Sequence, residues 1–221
     1  MDKAKYIDHT YLKAEGTSKH IDKIIEEAKE YGFKTICVNS SWVKYAKKKL
    51  EGSEVGITSV VGFPLGAMAT QAKVFETKLA IDHGANEIDM VINIGRLKDG
   101  QFDYVLNEIK DIKKTCGSHV LKVIIETALL TEEEKIKATE IVVASGADFV
   151  KTSTGFSYHG ATPADVKLMK KVVGDKILIK AAGGVKTPAD LDEMISIGAS
   201  RIGTSSGVKL ISGEKAKEGE Y

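Results

Sequence analysis

Two lysines end apolar segments of the kind that form buried strands. Lys151 follows Asp148-Phe-Val, and Lys180 follows Ile177-Leu-Ile. A buried lysine loses hydration energy unless its charge is paired or its proton is removed, so lysines inside a protein core are uncommon. Two lysines at matching places therefore indicate amine chemistry. The competing interpretation is a pair of surface lysines on misassigned helices, or ion pairs near the rim of the fold.

A pair of lysines also offers a way to make one amine reactive. An amine attacks a carbonyl carbon only in its neutral form, and at a pKa of about 10.4 roughly one lysine in 2,500 is neutral at pH 7. A second ammonium about 4 Å away adds roughly 4 kcal/mol of repulsion at an effective dielectric constant near 20, which is about three pKa units. We therefore expect imine formation with a carbonyl substrate, after which an adjacent carbon–carbon bond can break or form. These considerations leave either lysine as the nucleophile.

Asp89 places a carboxylate inside a third apolar segment, Glu87-Ile-Asp-Met-Val-Ile-Asn93. A carboxylate in this position can move a proton directly or through water. This role requires that its charge lies nearer Lys180 than Lys151, because otherwise it would keep the nucleophile protonated. The alternative for Asp89 is an ion pair that only supports the structure.

Lys122 is a further lysine within an apolar segment, Leu121-Lys-Val-Ile-Ile-Glu126. Its charge could pair with Asp89 or Asp8. We expect Lys122 to support the site structurally rather than to react.

Glycines and serines after two later segments outline an anion site. Gly183 and Gly184 follow the segment of Lys180, and Gly203-Thr-Ser-Ser-Gly207 begins a predicted helix. Glycine permits close approach of the backbone, and the start of a helix offers N–H donors and positive potential. The chain contains only two arginines, so we expect backbone donors to bind a phosphate group more than guanidinium groups do. The alternative is that these residues form ordinary turns.

These residues need a scaffold that brings the ends of several strands together. Apolar segments rich in Val and Ile alternate with amphipathic segments, which is the pattern of parallel βα units. Eight strands are predicted, at Tyr6–Thr10, Lys34–Val38, Gly56–Gly62, Glu87–Asn93, Val120–Glu126, Asp148–Thr152, Ile177–Ala181 and Arg201–Thr204.

The segments between the strands carry helix signals. Two of them place apolar residues at i, i+3, i+4 and i+7, namely Ile21, Ile24, Ile25, Ala28 and Phe102, Val105, Leu106, Ile109. Thr131 and Glu134 form a predicted capping box, and Thr162 and Thr187 each precede a proline at the first helical position. A glycine suited to end a helix precedes every second strand, at Gly32, Gly84, Gly146 and Gly198.

The whole pattern predicts an α/β fold, a (β/α)8 TIM barrel. Residues 1–212 would form this single domain, and the polar residues 213–221 a flexible C-terminal tail. The alternative is an open doubly wound sheet, but no Gly-x-Gly-x-x-Gly turn follows a first strand. Active sites of such barrels lie at the C-terminal ends of the strands. Lys151 and Lys180, on neighbouring strands, would therefore enter the same cavity.

The composition argues against several classes of function. The 32 basic and 31 acidic residues give a formal net charge of +1, without the basic stripe that nucleic-acid binding requires. No apolar stretch approaches the roughly 18 residues that span a bilayer, so we expect a cytoplasmic protein without a membrane partner. The histidines and cysteines show no metal-ligand spacing, and we expect no metal.

Five segments together closely resemble the deoxyribose-phosphate aldolase family, nearly from end to end. They are Ile7-Asp-His-Thr10, Glu87-Ile-Asp-Met-Val-Ile-Asn93, Lys122-Val-Ile-Ile-Glu-Thr127, Phe149-Val-Lys-Thr-Ser-Thr-Gly-Phe156 and Ile179-Lys-Ala-Ala-Gly-Gly-Val185. The resemblance implies a class I aldolase that reversibly cleaves 2-deoxy-D-ribose 5-phosphate into acetaldehyde and D-glyceraldehyde 3-phosphate. It implies a lysine Schiff base, no metal or organic cofactor, and a place in deoxynucleoside breakdown. The partners would be a sugar phosphate and an aldehyde, and self-association into a homo-oligomer is left open.

The resemblance also implies a role for individual residues. Lys151 would form the Schiff base, Lys180 would lower its pKa, and Asp89 would relay protons. The phosphate-binding positions of the family correspond to Gly155, Gly183, Gly184, Ser205 and Ser206. The positions that line its pocket correspond to Asp8, Cys37, Lys122 and Thr152. Cys37 can also be interpreted as a small buried apolar residue.

Two positions qualify the resemblance. Some relatives have a phosphate-binding lysine just after the Ser-Thr-Gly turn, where this chain has Phe156, so a weaker preference for phosphate is expected. Some relatives also use a C-terminal tyrosine in proton exchange, and this chain ends in Tyr221. The alternative functions are another Schiff-base sugar-phosphate aldolase or transaldolase, and a non-catalytic barrel that binds phosphorylated metabolites.

Overall fold

A computed structural model describes residues 2–213 and contains a closed barrel of eight parallel strands. Each strand pairs with its neighbours in chain order, and the eighth pairs with the first. The strands are β1 Ile7–Thr10, β2 Thr35–Val38, β3 Gly56–Val61, β4 Glu87–Val91, β5 Val120–Ile124, β6 Phe149–Lys151, β7 Leu178–Ala182 and β8 Arg201–Thr204. The predicted (β/α)8 barrel is therefore confirmed. The predicted tail lies almost wholly outside the described residues, so the proposed division into barrel and tail stays a prediction.

Helices surround this barrel and cover the outward faces of its strands. They are α1 Ser18–Tyr31, α2 Val43–Lys49, α3 Thr70–Asp82, α4 Ile94–Lys98, α5 Phe102–Cys116, α6 Glu132–Ser145, α7 Pro163–Val173, α8 Pro188–Ser196 and α9 Gly207–Ser212. Among residues 2–213, every helix is too short or too polar to cross a lipid bilayer.

The helix boundaries follow the predicted caps. Thr131 Oγ1 accepts from the backbone N–H of Glu134 at 3.3 Å, and the Glu134 carboxylate accepts from the N–H of Thr131 at 2.9 Å. These reciprocal bonds satisfy donors that the first turn of a helix leaves unpaired. Thr162 and Thr187 cap α7 and α8 in the predicted way. Gly32 and Gly146 take the left-handed conformation that ends α1 and α6.

The predicted apolar face of α1 is confirmed, and that of α5 is confirmed except at Phe102, because Val105 and Ile109 are buried and Leu106 packs half-buried against the core. Ile21, Ile24, Ile25 and Ala28 are all buried. In α5 the buried apolar residues are Val105, Ile109, Ile112 and Cys116. Phe102, in the first turn of α5, is exposed. The Lys137 ammonium lies 5.1 Å from the centre of its ring.

Four strands end earlier than predicted: β6 ends at Lys151 rather than Thr152, and the backbone explains the other three. Strands β3, β4 and β5 were expected to reach Gly62, Asn93 and Glu126. Gly62 and Glu126 have positive φ angles of 62° and 55°, which a strand does not accommodate. The Asn93 side chain instead accepts from the N–H of Arg96 at 3.1 Å and caps α4.

The interior of the barrel is polar, whereas its layer against the helices is apolar. Barrels of this type usually fill the interior with branched apolar side chains. Here the buried inward-facing residues of several strands carry charge or hydroxyl groups, namely Asp8, Thr35, Thr58, Glu87, Asp89, Lys122, Lys151, Lys180 and Arg201. This charged interior lies where the candidate active site was predicted.

Candidate active site

Lys151 and Lys180 lie side by side on neighbouring strands. Lys151 ends β6, and the parallel register pairs it directly with Lys180 in β7. Both side chains are buried, because equivalent positions on parallel strands face the same side of the sheet. The two amines therefore meet inside the barrel, as their places on neighbouring strands predicted.

Asp89 joins the two amines through a single oxygen. Its Oδ2 accepts from Lys151 Nζ and Lys180 Nζ, each at 2.8 Å, so the two nitrogens are separated by at most twice that distance. Its Oδ1 accepts from Lys122 Nζ at 2.7 Å. The condition set for a proton-transfer role of Asp89, a charge nearer Lys180 than Lys151, is not met by distance, because the two distances are equal. The charge of Asp89 is instead shared among three amines.

Further ion pairs surround Lys180 and Lys122 inside the barrel. Lys180 Nζ donates to Asp8 Oδ2 at 2.6 Å, and Arg201 Nη1 donates to Asp8 Oδ1 at 2.7 Å. Glu87 Oε2 lies 2.6 Å from Lys122 Nζ and 2.9 Å from Arg201 Nη1. Lys122 is therefore held between carboxylates, as a supporting residue would be.

Glu87 and Arg201 were not singled out from the sequence, although a signal was present. Glu87 lies two residues before Asp89 in β4, and side chains two residues apart point to the same face of a strand. Arg201 begins β8 in the same inward direction. A search for charged residues at strand spacing would have found both.

The seven residues of this network, called here the charged cluster, contain more basic than acidic groups. The basic members are Lys122, Lys151, Lys180 and Arg201, and the acidic members are Asp8, Glu87 and Asp89. If all were ionised, the buried cluster would carry one positive charge in excess, which is energetically costly. Loss of a proton from one lysine balances the cluster.

Lys151 is the lysine with the weakest hold on its proton. Within the described chain it pairs with one carboxylate, Asp89. Lys180 pairs with Asp8 and Asp89, and Lys122 pairs with Glu87 and Asp89. The contacts therefore distinguish the two lysines that the residues alone left equivalent, and they favour Lys151 as the neutral amine.

The pKa directions agree with these contacts but change the expected order of causes. Burial is the main reason that the pKa of Lys151 falls below its ordinary value, with Asp89 acting against it and the Lys180 ammonium adding to it. Burial also lowers the pKa of Lys180, but Asp8 and Asp89 outweigh it and the pKa rises. Desolvation therefore contributes more to the lowered pKa of Lys151 than the neighbouring ammonium on which the sequence argument was based.

Cys37 lies in an apolar wall on one side of the site. Leu12, Cys37 and Val60 form a small buried cluster against which Phe63 packs. Burial raises the pKa of the Cys37 thiol, so the thiol remains protonated at neutral pH. The interpretation of Cys37 as a small buried apolar residue agrees with this packing.

Thr152 lies directly after Lys151 and links two strands. Its Oγ1 accepts from the N–H of Ala182 at 3.1 Å, and its N–H donates to the carbonyl of Lys180 at 3.1 Å. The side chain is fully buried. Thr152 therefore maintains the spacing between the ends of β6 and β7.

Three of the predicted phosphate-binding glycines line one groove. Gly155, Gly183 and Gly184 surround a space of about 440 Å³ next to the ends of β6 and β7. Lys13 and Lys186 line the same groove. Sequence reasoning missed these two lysines, because each lies in a loop and no strand pattern marks it.

The remaining predicted phosphate positions do not line this groove. Ser205 lines an adjoining cleft of about 200 Å³, together with Lys13 and Phe156. Ser206 is buried, and its N–H donates to Thr204 Oγ1 at 3.0 Å. The two spaces meet at Lys13 and Phe156, so Ser205 lies beside the glycine groove rather than within it. Tyr221 lies outside the described residues.

Phe156 occupies the rim between the groove and the apolar wall. Its side chain is 51% exposed, and its ring makes an edge contact with Phe63 at a centroid distance of 5.3 Å. An aromatic ring there contributes apolar surface and no positive charge. The groove therefore depends on lysines from other loops for its cations.

The carboxylates of the site face ammonium and guanidinium groups. Within residues 2–213, no group of three or more His, Cys, Asp or Glu side chains is arranged to hold a metal ion. The arrangement can instead hold a neutral amine beside an ammonium, a carboxylate and an anion-binding groove.

Comparison with known proteins gives consistent results over nearly the whole chain. A sequence model described as DeoC/LacD family aldolase matches residues 3–213. The deoxyribose-phosphate aldolase of Mycoplasmopsis pulmonis is 63% identical over 99% of this chain and 100% of its own length. That of Staphylococcus saprophyticus is 57% identical over 96% of this chain and 97% of its own length.

Solved structures agree with this result. A putative deoxyribose-phosphate aldolase from Coccidioides immitis has a TM-score of 0.94 and 41% identity, covering 96% of this chain and 85% of its own. A deoxyribose phosphate aldolase from Aeropyrum pernix, described as a unique tetramer, has a TM-score of 0.89 and 30% identity, with 95% and 89% covered. The fold, the charged cluster and these similarities lead to one conclusion: the chain belongs to the DeoC/LacD family of aldolases.

Proposed function

We propose that this chain is a class I deoxyribose-phosphate aldolase. It reversibly cleaves 2-deoxy-D-ribose 5-phosphate into acetaldehyde and D-glyceraldehyde 3-phosphate through a Schiff base on Lys151. The observation that carries the proposal is the buried Lys151 amine, which shares one carboxylate with the ammonium of Lys180. The names of the relatives that match end to end support the same substrate.

The reaction begins with the neutral amine of Lys151. Its nitrogen adds to the C1 carbonyl of the open-chain sugar, and the resulting carbinolamine takes a proton and loses its oxygen as water. A protonated imine remains, which withdraws electrons from the adjacent carbon. Lys180 keeps its own proton because Asp8 and Asp89 both pair with it, so it stays an ammonium beside the reacting nitrogen.

Cleavage of the C2–C3 bond follows from this electron withdrawal. The C3 hydroxyl gives up its proton, C3 becomes the aldehyde carbon of glyceraldehyde 3-phosphate, and the bonding electrons form the C1–C2 double bond of an enamine. Asp89 accepts the proton directly or through water, because Lys122 and Lys180 share its charge and weaken its hold on a proton at Lys151. Its Oδ2 lies beside the Lys151 nitrogen, and a transient proton there remains shared with Lys180.

The cycle closes with the reverse proton transfer. C2 of the enamine takes a proton and becomes the methyl group of an acetaldehyde imine. Water then adds to this imine, releases acetaldehyde and restores the amine of Lys151. The apolar wall of Leu12, Cys37, Val60 and Phe63 suits the two-carbon fragment, which has no polar group beyond the imine.

The glycine groove is the proposed site of the phosphate group. Gly155, Gly183 and Gly184 allow the backbone to approach an anion closely, and Lys13 and Lys186 add positive charge. These lysines compensate for Phe156, which stands where some relatives have a lysine. Ser205, in the adjoining cleft, is proposed to contact the phosphate from that side.

Reductive trapping tests the covalent mechanism. The protein is incubated with acetaldehyde and borohydride, which converts an imine into a stable secondary amine, and the modified peptide is identified by mass spectrometry. We expect an ethyl group on Lys151 and none on a Lys151→Met variant. Labelling only at Lys180 would exchange the roles of the two lysines, and the absence of a labelled lysine would contradict the Schiff base.

Product analysis tests the substrate separately. Acetaldehyde release from deoxyribose 5-phosphate is compared with the reactions of fructose 1,6-bisphosphate and fructose 6-phosphate. Release from deoxyribose 5-phosphate alone is expected. Turnover of the fructose phosphates instead would indicate another Schiff-base aldolase or a transaldolase, and labelling without any turnover would favour a binding protein.

We also infer that the chain works in the cytoplasm as a homo-oligomer. The tetrameric relative supports self-association, as do Phe75 and Leu79, which lie one turn apart on α3 and are exposed. Sedimentation velocity should show a species larger than the 23.9 kDa chain. Phe75→Glu should shift it toward that mass, whereas Lys78→Glu on the same helix should not. A wild-type protein that sediments as one chain would contradict the inference.

A further inference from the structure

Glu126 combines burial, charge and an uncommon backbone conformation just beyond β5. It is buried, and its φ angle is 55°. Among residues 2–213 it is the one non-glycine residue with a positive φ. A non-glycine residue in the left-handed region costs energy, so surrounding contacts must maintain it. The mechanism above gives Glu126 no part.

Backbone bonds on either side of Glu126 show what maintains this conformation. The N–H of Ile125 donates to the carbonyl of Lys151 at 3.1 Å, and the N–H of Thr127 donates to the carbonyl of Thr152 at 2.9 Å. The chain therefore stays paired with the end of β6 before and after Glu126. Glu126 itself is turned out of the ladder, as in a β-bulge that redirects a side chain next to an active site.

The side chain of Glu126 forms hydrogen bonds with the turn that follows Lys151. Both carboxylate oxygens of Glu126 accept from the N–H of Thr154, at 3.3 and 3.2 Å. Its Oε2 also accepts from Thr154 Oγ1. Thr154 Oγ1 in turn accepts from the N–H of Phe156 at 3.0 Å. This chain of bonds spans Gly155, the glycine that contributes the β6 side of the groove.

We propose that Glu126 is a positioning residue that, through Thr154, presents the Gly155 turn to the phosphate group of the substrate. The proposal rests on the function proposed above and deepens it, because it names what holds one wall of the phosphate groove. Glu126 touches no reacting atom in this role. The Glu126 charge also acts on Lys151 at a distance, so Thr154→Val, which keeps that charge, isolates the effect on recognition of the phosphate.

Glu126→Gln and Thr154→Val each disrupt the hydrogen bonds between Glu126 and Thr154. Glu126→Gln removes the negative charge and replaces one acceptor oxygen with an NH₂ group, so one oxygen remains for the N–H and O–H donors of Thr154. Thr154→Val removes the hydroxyl group that links Glu126 to Phe156, and Thr154→Ser keeps it. Glu51→Gln is the matched control, because Glu51 is exposed in the turn after α2, at the opposite end of the barrel.

The first measurement compares deoxyribose 5-phosphate with unphosphorylated 2-deoxyribose as substrates. We expect Glu126→Gln and Thr154→Val each to reduce the ratio of the two kcat/KM values about tenfold, mainly through KM, a change typical of a lost hydrogen bond to a charged group. Thr154→Ser and Glu51→Gln should retain the wild-type ratio. The double variant should be no worse than either single variant, because the two residues act through one connection.

Equal losses on the two substrates would overturn the proposal, since they would indicate a general structural role. A double variant with fully additive losses would overturn it as well, because Thr154 would then act independently of Glu126. Thermal unfolding of each variant shows whether it is folded. If Glu126→Gln does not fold, Thr154→Val and Thr154→Ser carry the test.

A binding measurement distinguishes this proposal from the proposed function. Isothermal titration with inorganic phosphate requires no turnover. Weaker binding to Glu126→Gln and Thr154→Val than to Glu51→Gln supports the positioning role even if deoxyribose 5-phosphate is not cleaved. Unchanged phosphate binding in both variants overturns it, even if the aldolase activity is present.

Discussion

Lys151 differs from the other buried basic residues of the charged cluster in the number of carboxylates around it. Lys122, Lys180 and Arg201 each pair with two or more, and Lys151 pairs with Asp89. A lysine with fewer anionic partners binds its proton less tightly. Burial then makes the neutral form of Lys151 favourable. This difference is the basis for proposing Lys151, rather than a neighbouring lysine, as the nucleophile.

Replacement of Lys180 by Met tests this electrostatic account. The variant removes an ammonium beside Lys151 and leaves Asp89 with one competitor fewer, so the pKa of Lys151 should rise. We expect kcat at pH 7 to fall at least tenfold, since each pKa unit is a factor of ten in neutral amine. The effect on KM should be smaller. Steady-state kinetics at several pH values from 6 to 10 give kcat and KM, and the pH dependence of kcat reports the shift in the pKa of Lys151.

The outcome at high pH separates electrostatics from simple damage to the site. If Lys180 acts on the pKa of Lys151, the deficit of the variant should shrink as the pH rises and Lys151 loses its proton. A constant deficit across the range would contradict this account. Thr131→Ala, which removes a distant helix cap, is a control for a general loss of stability.

At the scale of the elements, the loops after β6 and β7 form the groove proposed to bind the phosphate group. Both loops use backbone conformations that few residues other than glycine adopt. Gly184 has a φ angle of 77°, and a Cβ atom there would lie 2.5 Å from the carbonyl oxygen of Ala161. The two loops thus approach each other more closely than side chains would permit. The positive charges are left to Lys13 and Lys186 at the edges of the groove.

Lys186→Ala should weaken recognition of the phosphate group. Lys186 is exposed, so the expected increase in KM for deoxyribose 5-phosphate is roughly threefold to fivefold, as for other exposed charge contacts. The KM for unphosphorylated deoxyribose should not change. Lys176→Ala is the control, because Lys176 precedes β7 at the opposite end of the barrel. An equal KM increase for both sugars would argue against a phosphate contact.

At the scale of the whole molecule, charged groups on the first and last strands of the barrel pair with one another only when the barrel is closed. Asp8 of β1 accepts from Lys180 of β7 and from Arg201 of β8. Burial alone would raise the pKa of Asp8, but these cations and Lys122 hold it below its ordinary value. A carboxylate with a lowered pKa in the folded state stabilises that state above its unfolded pKa of about 3.9, and this stability is lost as the pH falls.

Asp8→Asn should therefore change how acid affects folding. The variant should be less stable at pH 7, because Lys180 and Arg201 lose a buried partner. Its free energy of unfolding should also fall less steeply than that of the wild type as the pH drops below about 4. Urea unfolding at several pH values between 3 and 7 measures the slope. Asp175→Asn, at an exposed position, should keep the wild-type slope, and an unchanged slope in Asp8→Asn would contradict the prediction.

Much of the fold could be predicted because its signals are local. Thr131 with Glu134 and the proline after Thr187 mark helix starts through bonds within one turn, and Gly146 marks a helix end. The alternation of apolar segments predicted eight strands and hence the barrel. Lys151, Lys180 and Asp89 were recognised because charge within an apolar strand is costly wherever the strand is placed.

Only the tertiary structure decided which polar and charged groups pair with one another. Hydrogen bonds join Asp8 to Arg201, Lys151 to Asp89 and Glu126 to Thr154, across separations in sequence that no local pattern relates. The preference for Lys151 over Lys180 depends on the number of carboxylates around each amine, and that number exists only after the barrel has closed. Local residue types thus determined the strands, the caps and the candidate chemistry. The long-range pairing of charges in a desolvated interior determined that Lys151 has fewer carboxylate partners than its neighbours, and the proposed nucleophile follows from that.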